Sequence, residues 1–565
     1  MKMLRTTLAV VILTSSFHGA AAQTEKPAMP PEQEAKVLIK AYTTRYQPVL
    51  IEANRAWWEA STTGSNEAFD RKKKADKALV ALHSDTYLAD RVNAILKSGA
   101  VTDPVERRQL EVMRLHLLAA HADPDLQNRI VDLQSDIEQT FNTHRSDVGG
   151  KLLTENEVRA ILAETTDSKQ AEAAWKGYMQ VGRKADGKLR ELVALRNELA
   201  RQLGYPDFHA YKLASQEIEP EPFFALFDEL DRLTAAPFAE IKARIDAARA
   251  KKFGVAESDL RPWHFGDLFF QEAPEVEGVD LDAVYRDVDL VALTKHYYQS
   301  LGFECEDIFA RSDLLEKEGK SPHAFATDID REGDIRVLCN IKPNLYWADT
   351  TMHEIGHAVY DKYIDRALPF TLREASHSIT TEGVAMMFGA IVKNADFLAR
   401  VRKLKADEAA AAGRAAADAL RMEKLMFARW TQVMVRFEHG LYTQPDQDLG
   451  KLWWGLKKRY QLLNPPESTD RPDYAAKVHI LTEPVYYHSY LMGDLFAAQV
   501  RNTIARRVLG QASPGETSFF GETKAGDYLR REVFGPGNLY SWNELTKRAT
   551  GEPLTAKYFA EQFVR

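Results

Sequence analysis

Apolar residues recur every three or four positions along most of this 565-residue chain. That spacing places them on one face of an α-helix, so each such run predicts an amphipathic helix packed against a core. The predicted helices cover residues 35–61, 67–82, 104–120, 125–143, 166–203 and 222–251, with a long helix or a pair of helices over about 395–441. We therefore expect a mainly α fold.

One stretch follows a different pattern. Residues 324–329 and 335–341 have the composition of short strands, and the acidic, glycine-containing segment 330–334 between them favours a turn. The two strands predict a small antiparallel β ribbon. An extended peptide can pair with the edge of such a ribbon as one more strand.

The helix expected next contains the motif His-Glu-x-x-His, formed by His353, Glu354 and His357. Residues four apart lie on one face of a helix, so both imidazoles can bind one metal ion while Glu354, about 100° round the helix, acts as a base. Glu382 follows 25 residues after His357 and adds a carboxylate. Such a three-ligand set is typical of a catalytic zinc, so the motif indicates a zinc hydrolase, most simply a peptidase.

The same motif also arises by chance, and a chance copy would be a helical turn with two half-buried histidines. The flanking residues favour the metal site, because Asn344 is a plausible helix start and Met352, Ile355 and Val359 predict a mostly buried helix. Two histidines and a glutamate on a buried helix need partners, and a divalent ion would satisfy all three.

The N-terminus has the features of a secretory signal peptide over residues 1–22: Lys2 and Arg5, an apolar run, and small residues at 20–22. We expect a disordered lead-in over 23–33 and a single peptidase domain over 34–565. No later apolar run is long enough to cross a bilayer. The sequence thus predicts an exported protein, secreted or periplasmic, without stable membrane insertion.

The net charge limits the kinds of partner that the protein can bind, and the cysteine content limits its possible disulfides. A net charge of −8 without a basic block argues against nucleic acid and anionic membranes as partners. We expect a monomer that acts on oligopeptides. The two cysteines, Cys305 and Cys339, could pair in an oxidising compartment or remain buried free thiols.

A second polar cluster lies between Lys477 and Tyr490, where an ammonium, imidazoles and phenols follow one another closely. Donors of this kind can stabilise the oxyanion that forms when water attacks a carbonyl. Taken alone, the segment could equally be a polar loop with aromatic packing.

With these residues the chain resembles the M2 family of zinc peptidases, the angiotensin-converting-enzyme-like dipeptidyl carboxypeptidases. Besides the histidine motif, the resemblance is carried by Leu368-Pro369, Leu372-Arg373-Glu374, Trp453-Trp454, Tyr460-Gln461, Pro465-Pro466, Lys477-x-His479 and Tyr487-x-x-Tyr490. Weaker matches at Trp175-Lys-Gly177 and Leu203-Gly-Tyr205 extend it over nearly the whole chain after the signal peptide.

The resemblance implies one zinc per chain on His353, His357 and Glu382. It implies that Glu354 is the base and then the proton donor, and that His479 and Tyr490 hold the substrate carbonyl and the developing oxyanion.

It further implies that Lys477 and Tyr487 bind the substrate's C-terminal carboxylate, with Asn340 in the place of a family histidine beside the substrate. The implied fold is a helical ellipsoid with a deep central cleft, in which helices within about residues 34–150 form a lid over the cleft.

Several positions depart from the family pattern. A glutamine that helps to hold the terminal carboxylate is not found near Trp263, where His264-Phe265 stands instead. Met386 replaces the aspartate expected four residues after the third ligand, which leaves the partner of His353 unidentified. Lys457 and Ser489 replace two chloride-site arginines, so chloride activation does not follow for this chain.

The resemblance favours a peptidase that releases C-terminal dipeptides. One alternative is an endo-oligopeptidase similar to the thimet oligopeptidase (M3) family, which resembles the chain around the strand pair and Leu338-Cys-Asn340. A second is an inactive peptide-binding protein, which the presence of all three ligands, the base and an oxyanion donor disfavours.

Overall fold

The computed structural model describes residues 29–273, 280–512 and 514–564. The signal peptide and most of the lead-in predicted from the sequence lie outside the described residues, and the first helix begins at Pro31. Helices account for 69% of the structure, which confirms the mainly α fold. The domain limits expected from the sequence stay a prediction.

The N-terminal part is a group of antiparallel helices with its own buried cluster, formed by residues such as Tyr42, Val92 and Met113. Ser65, Asp85, Asp103 and Asp123 start helices by accepting a backbone N–H, as helix N-caps do. The helices are α1 (Pro31–Thr63), α2 (Asn66–His83), α3 (Thr86–Ser98), α4 (Pro104–His116) and α5 (Pro124–Thr143).

A short ribbon that the sequence analysis did not predict follows α5. Its strands β1 (Ser146–Val148) and β2 (Lys151–Leu153) pair antiparallel around Gly149 and Gly150, both in the left-handed region. The chain then continues through α6 (Glu155–Glu164), α7 (Ser168–Gln202), α8 (Phe208–Ser215), α9 (Pro220–Phe253), α10 (Leu281–Tyr285), α11 (Leu290–Ser300) and α12 (Glu306–Arg311).

The ribbon predicted before the histidine motif is present. Strands β3 (Phe325–Asp328) and β4 (Ile335–Leu338) pair antiparallel, with Phe325 opposite Leu338. The Asp330 carboxylate closes the turn by accepting the backbone N–H groups of Glu332 and Asp334, at 2.8 and 3.0 Å. Helix α13 (Leu345–Lys362) then carries the motif and packs on both strands.

The C-terminal part encloses α13. The pattern over 395–441 resolves into two helices, one of the two options that it left open. The elements are α14 (Ser378–Gly389), α15 (Ala395–Arg400), α16 (Ala406–Thr443), α17 (Leu449–Gln461), α18 (Val478–Thr482), α19 (His488–Thr503), α20 (Thr523–Tyr528), α21 (Trp542–Thr550) and α22 (Lys557–Phe563).

One continuous apolar core surrounds the motif helix and includes Ile355 and Val359 of α13. Cys305 and Cys339 are buried free thiols in this structure, the second of the two states that the sequence allows. Within the described residues, no helix combines the length and the apolar character that a bilayer crossing requires.

Candidate active site

Helix α13 begins where the sequence predicts, and its start sets the position of the His-Glu-x-x-His motif in the fold. Asn344 is its N-cap, and its side-chain oxygen accepts the backbone N–H of Trp347 at 2.8 Å. Tyr298, on α11, donates its hydroxyl to the carbonyl of Met352 at 2.7 Å in the buried core. The helix is thus held at both its start and its middle.

The three predicted ligands meet at one point. The Nε2 atoms of His353 and His357 lie 3.2 Å apart, and the Oε2 atom of Glu382 lies 3.6 and 3.9 Å from them. One ligand atom from each residue falls within 4.8 Å of the others. Two imidazole nitrogens and a carboxylate oxygen form the donor set that Zn²⁺ takes in catalytic sites, so these residues fit the ion.

Small residues bring the ligands together. A Cβ on Gly356 would lie 3.1 Å from the Cα of Ala385, so the glycine lets α13 approach α14 closely. A Cβ on Gly383 would lie 2.7 Å from the carbonyl oxygen of Gly493, so α19 packs equally closely on the other side of α14. Glu382 is therefore held between the motif helix and the helix that carries Tyr490.

Burial keeps the histidines neutral, which is the form that binds a metal. Burial lowers the pKa of His353 to about 4 and that of His357 to about 3. The Nδ1 atom of His357 lies 2.6 Å from the hydroxyl oxygen of Thr381. A donated Nδ1–H there directs the lone pair of Nε2 toward the ligand cluster. Thr381, adjacent to the third ligand, was missed by the sequence analysis.

Glu354 is buried beside the ribbon, on a different face of α13 from the two histidines. Burial, together with the charge of Glu382, raises the pKa of its carboxyl to about 8, although a hydrogen bond from the backbone N–H of Ala326 opposes the shift. Strand β3 therefore orients the predicted base. A carboxyl whose pKa lies near neutrality is suited to take up and return a proton.

An aromatic cluster lies at the start of α19 and in the residues just before it. The rings of Tyr486 and Tyr490 meet edge to face with centroids 5.5 Å apart. Burial raises the pKa values of both phenols, to about 12 for Tyr486, and the charge of Glu382 contributes in both cases. Both phenols are therefore protonated donors near the third ligand.

His479 and Tyr487 continue this cluster away from the metal ligands. The Tyr487 ring lies 5.5 Å from that of Tyr490 and 5.4 Å from the imidazole of His479. Burial lowers the pKa of His479 to about 4. Its Nδ1 atom is buried and has no hydrogen-bond partner among the described residues.

Lys477 lies at the far end of the cluster. Its ammonium donates to Oε1 of Gln271 at 2.7 Å and lies 5.4 Å from the centre of the Tyr487 ring. Among the described residues no carboxylate forms an ion pair with this buried ammonium, although the charges of Asp267, Glu272 and Glu155 act on it from further away. Burial lowers the pKa of Lys477 to about 8.

Gln271 is a residue that the sequence analysis missed. Near Trp263, where the family pattern places a carboxylate-binding glutamine, His264 contacts only the Ser168 hydroxyl and the backbone N–H of Arg261. Gln271 lies further along the chain, and Asp267 accepts its backbone N–H at 2.5 Å. A glutamine that is not found near Trp263 is therefore present further along the chain, in contact with Lys477.

Two other positions have protein partners. The Asn340 amide donates to the carbonyls of Ser321 and Pro322 at 3.0 and 3.3 Å, so it supports the loop before β3, and its substrate-binding role stays a prediction. The ammonium of Lys457 donates to the carbonyl of Phe269 and to Gln461 at 2.8 and 2.7 Å. The inference that chloride activation does not follow for this chain likewise stays a prediction.

A three-ligand centre with an adjacent carboxyl base and phenol donors is the arrangement of a metallopeptidase. The chain belongs to the Peptidase_M2 family: the family model, described as angiotensin-converting enzyme, matches residues 29–240 and 274–563. The family resemblance seen in the motifs is thereby confirmed.

Individual relatives are distant but match over most of the chain. The angiotensin-converting enzyme-like protein Ace3 of Mus musculus is 23% identical over 94% of this chain and 75% of its own length. The angiotensin-converting enzyme of Theromyzon tessulatum is 22% identical over 93% of this chain and 90% of its own length. That of Rattus norvegicus is 22% identical over 94% of this chain but only 43% of its own length.

Proposed function

We propose that this protein is a zinc peptidase that removes dipeptides from the C-terminus of oligopeptides. The observation that carries the proposal is the buried ammonium of Lys477, which has Gln271 beside it and connects to the metal ligands through the ring contacts of Tyr487 and Tyr490. A buried positive charge that forms no ion pair with the described carboxylates is costly unless a ligand neutralises it. A peptide's terminal carboxylate is such a ligand.

The metal ligands would be His353, His357 and Glu382, in the geometry given above. When bound, zinc supplies a Lewis acid that polarises a carbonyl and activates water for attack. Thr381 holds His357 in the tautomer that can ligate.

The other residues of the site act on protons and on developing charge. Glu354 accepts a proton from the attacking water and passes it to the leaving amine, helped by a pKa near neutrality. The Tyr490 phenol, kept protonated by its raised pKa, donates a hydrogen bond to the oxyanion. His479, as a neutral imidazole, donates to a substrate carbonyl.

The substrate's terminal carboxylate defines where the chain is cut. Lys477 supplies the charge, and Gln271 and Tyr487 supply neutral donors on either side. Trp430 donates its indole N–H to the Tyr487 hydroxyl oxygen at 2.9 Å, which leaves that hydroxyl hydrogen free to point elsewhere. Because the anchored carboxylate and the cleaved bond would both lie at fixed positions, the released C-terminal fragment would have a constant length, which we propose to be a dipeptide.

Amidation of the substrate tests this proposal. Replacing the terminal carboxylate by an amide removes a charge-assisted hydrogen bond worth roughly 1.5 to 3 kcal/mol, so kcat/KM should fall about ten- to a hundredfold. In Lys477→Ala the difference between free and amidated peptides should largely disappear. The measurement is kcat/KM for paired peptides, with products identified by mass spectrometry.

Three further results sharpen the test. Gln271→Glu places a negative charge beside Lys477 and should reduce the preference for the free carboxylate, whereas Lys451→Ala, at an exposed lysine of α17, should leave it unchanged. Because burial lowers the pKa of Lys477 to about 8, the preference should weaken as the pH rises above 8. Equal cleavage of both peptides at internal bonds would instead support the endo-oligopeptidase alternative.

A further inference from the structure

The sequence leaves His353 without a partner for its second ring nitrogen. His353 Nε2 faces His357 and Glu382, so its Nδ1 atom points away from the ligand cluster. Ligating histidines usually donate this second N–H to an oxygen, which fixes the ring and raises its basicity. Met386, at the position where an aspartate was expected, offers only a thioether, which is a weak acceptor.

A cavity of about 150 Å³ lies behind His353, and its lining includes His353, Met386 and Asp349. Asp349 precedes His353 by one turn on α13, so the two side chains lie on the same face. Long helical side chains lean toward the N-terminus, which turns the imidazole toward this carboxylate. The cavity has charged side chains among the apolar residues of its lining, and it is large enough to hold water between His353 and Asp349.

The carboxylate of Asp349 is held in place from two sides. The Lys393 ammonium lies 2.8 Å from its Oδ2. Its Oδ1 lies over Gly389, where an added Cβ would come within 2.5 Å of Oδ1 and 3.4 Å of the His353 Cβ. A side chain at residue 389 would therefore displace the carboxylate. Among the described residues no side-chain or backbone donor reaches Oδ1, so this oxygen can accept a hydrogen bond from the cavity.

We propose that Asp349 is the positioning residue for His353, with its Oδ1 accepting the Nδ1–H of this histidine through a water molecule in the cavity. The carboxylate that positions His353 thus comes from the helical turn before the first ligand, and not from position 386, where Met386 stands. This inference rests on the proposed zinc site.

The test is the zinc affinity of purified protein, measured by competition with a chromophoric chelator. Asp349→Asn should weaken zinc binding about 10- to 100-fold. The double variant Asp349→Asn, Met386→Asp should recover most of that loss, because Met386 lines the same cavity and its replacement returns a carboxylate near Nδ1. The visible absorption of the cobalt-substituted protein should shift in the single variant and return toward that of the unchanged protein in the double one.

The matched control is Asp494→Asn, the same substitution in the same cavity at a carboxylate that instead pairs with Lys424 at 2.7 Å. It should leave the zinc affinity within a few-fold. Thermal melting of the zinc-free proteins separates folding from metal binding, and Asp349→Ser replaces the asparagine variant if the latter does not fold. Unchanged zinc affinity in the Asp349 variants would overturn the inference. Absence of stoichiometric zinc in the unchanged protein would overturn the proposed function itself.

Discussion

Single residues at the site owe their protonation states to burial. Burial makes the histidines neutral and raises the pKa of Glu354 to about 8. A cation bound at the ligand cluster would lower the pKa of Glu354, because a nearby positive charge favours the ionised carboxylate. The same environment thus yields neutral ligands and a base that titrates near neutrality.

Replacing Glu354 by glutamine separates catalysis from metal binding. The amide keeps the size of the side chain but cannot accept the proton, so kcat should fall about 10²- to 10⁴-fold while zinc stays bound. Steady-state kinetics and metal analysis of the same preparation measure both quantities.

The matched variant is Glu382→Gln, the same change at the third ligand. It should weaken zinc retention, because a neutral amide is a poorer ligand than a carboxylate. A Glu354→Gln protein with unchanged kcat would refute the role of Glu354 as the base.

What the sequence predicts at this scale depends on spacing along one helix. His353, Glu354 and His357 follow from a four-residue repeat, and Asn344 from its place before an apolar run. Gln271 could not be found in this way, because its contact with Lys477 joins positions 206 residues apart. Neither residue type nor spacing encodes a contact of that kind in a single sequence.

Elements differ in how well local pattern predicts them. The helical periodicity predicts α7 and α9 within a few residues, since long amphipathic helices repeat the same signal many times. The three-residue strands β1 and β2 are too short to show alternation, and only the Gly149-Gly150 turn could have indicated them. The segment before α19 is unpredictable for another reason, because tertiary contacts hold its backbone in an unusual conformation.

That segment turns at Val485, which has a φ of +54° although it is β-branched. The buried Glu438 of α16 accepts its backbone N–H at 2.7 Å, and Gln216 donates to its carbonyl at 3.0 Å. Gln216 also contacts Nε2 of His488, the first residue of α19, at 3.1 Å. These contacts fix the entry to the helix that carries Tyr490.

Glu438→Ala should therefore impair catalysis from a distance. It leaves the Val485 N–H without its acceptor, which costs about 1–3 kcal/mol of folding free energy, and it loosens the loop that aims the phenols. We expect kcat to fall by about tenfold or more, with KM less affected. Unchanged kcat in a folded Glu438→Ala protein would contradict this role.

Glu438→Gln is the control, because it keeps an acceptor oxygen, and it should retain activity at neutral pH. Burial raises the folded-state pKa of Glu438 to about 8 from an ordinary value of 4.5. The unfolded chain therefore loses this proton first, and the stability of the unchanged protein falls as the pH rises from 4.5 to 8. The glutamine variant lacks this dependence, so its melting temperature relative to the unchanged protein should rise over that interval.

At the scale of the whole molecule, the N-terminal helices contact the ribbon of strands β3 and β4, which lies beside the motif helix. On α1, Asn54 donates to the carbonyls of Asp328 and Ile329 at 3.3 and 3.1 Å. The Trp57 ring stacks on Phe325 with centroids 4.1 Å apart. The backbone N–H of Ala326 in β3 also donates to Glu354. Strand β3 therefore connects α1 to the predicted base.

The lid predicted from the family resemblance should therefore depend on the contact between Trp57 and Phe325. Trp57→Ala removes a stacked pair worth about 0.5–1.5 kcal/mol beyond its buried area, which should favour opening of the N-terminal helices. We expect kcat/KM to rise for peptides of several tens of residues relative to short ones, and α1 to become more sensitive to limited proteolysis.

The control is Tyr87→Ala on α3, which removes an aromatic ring that is 68% exposed and should change neither quantity. If Trp57→Ala leaves the ratio between long and short peptides unchanged although α1 is cleaved faster, these helices do not limit substrate size, and the restriction must come from the site around Lys477.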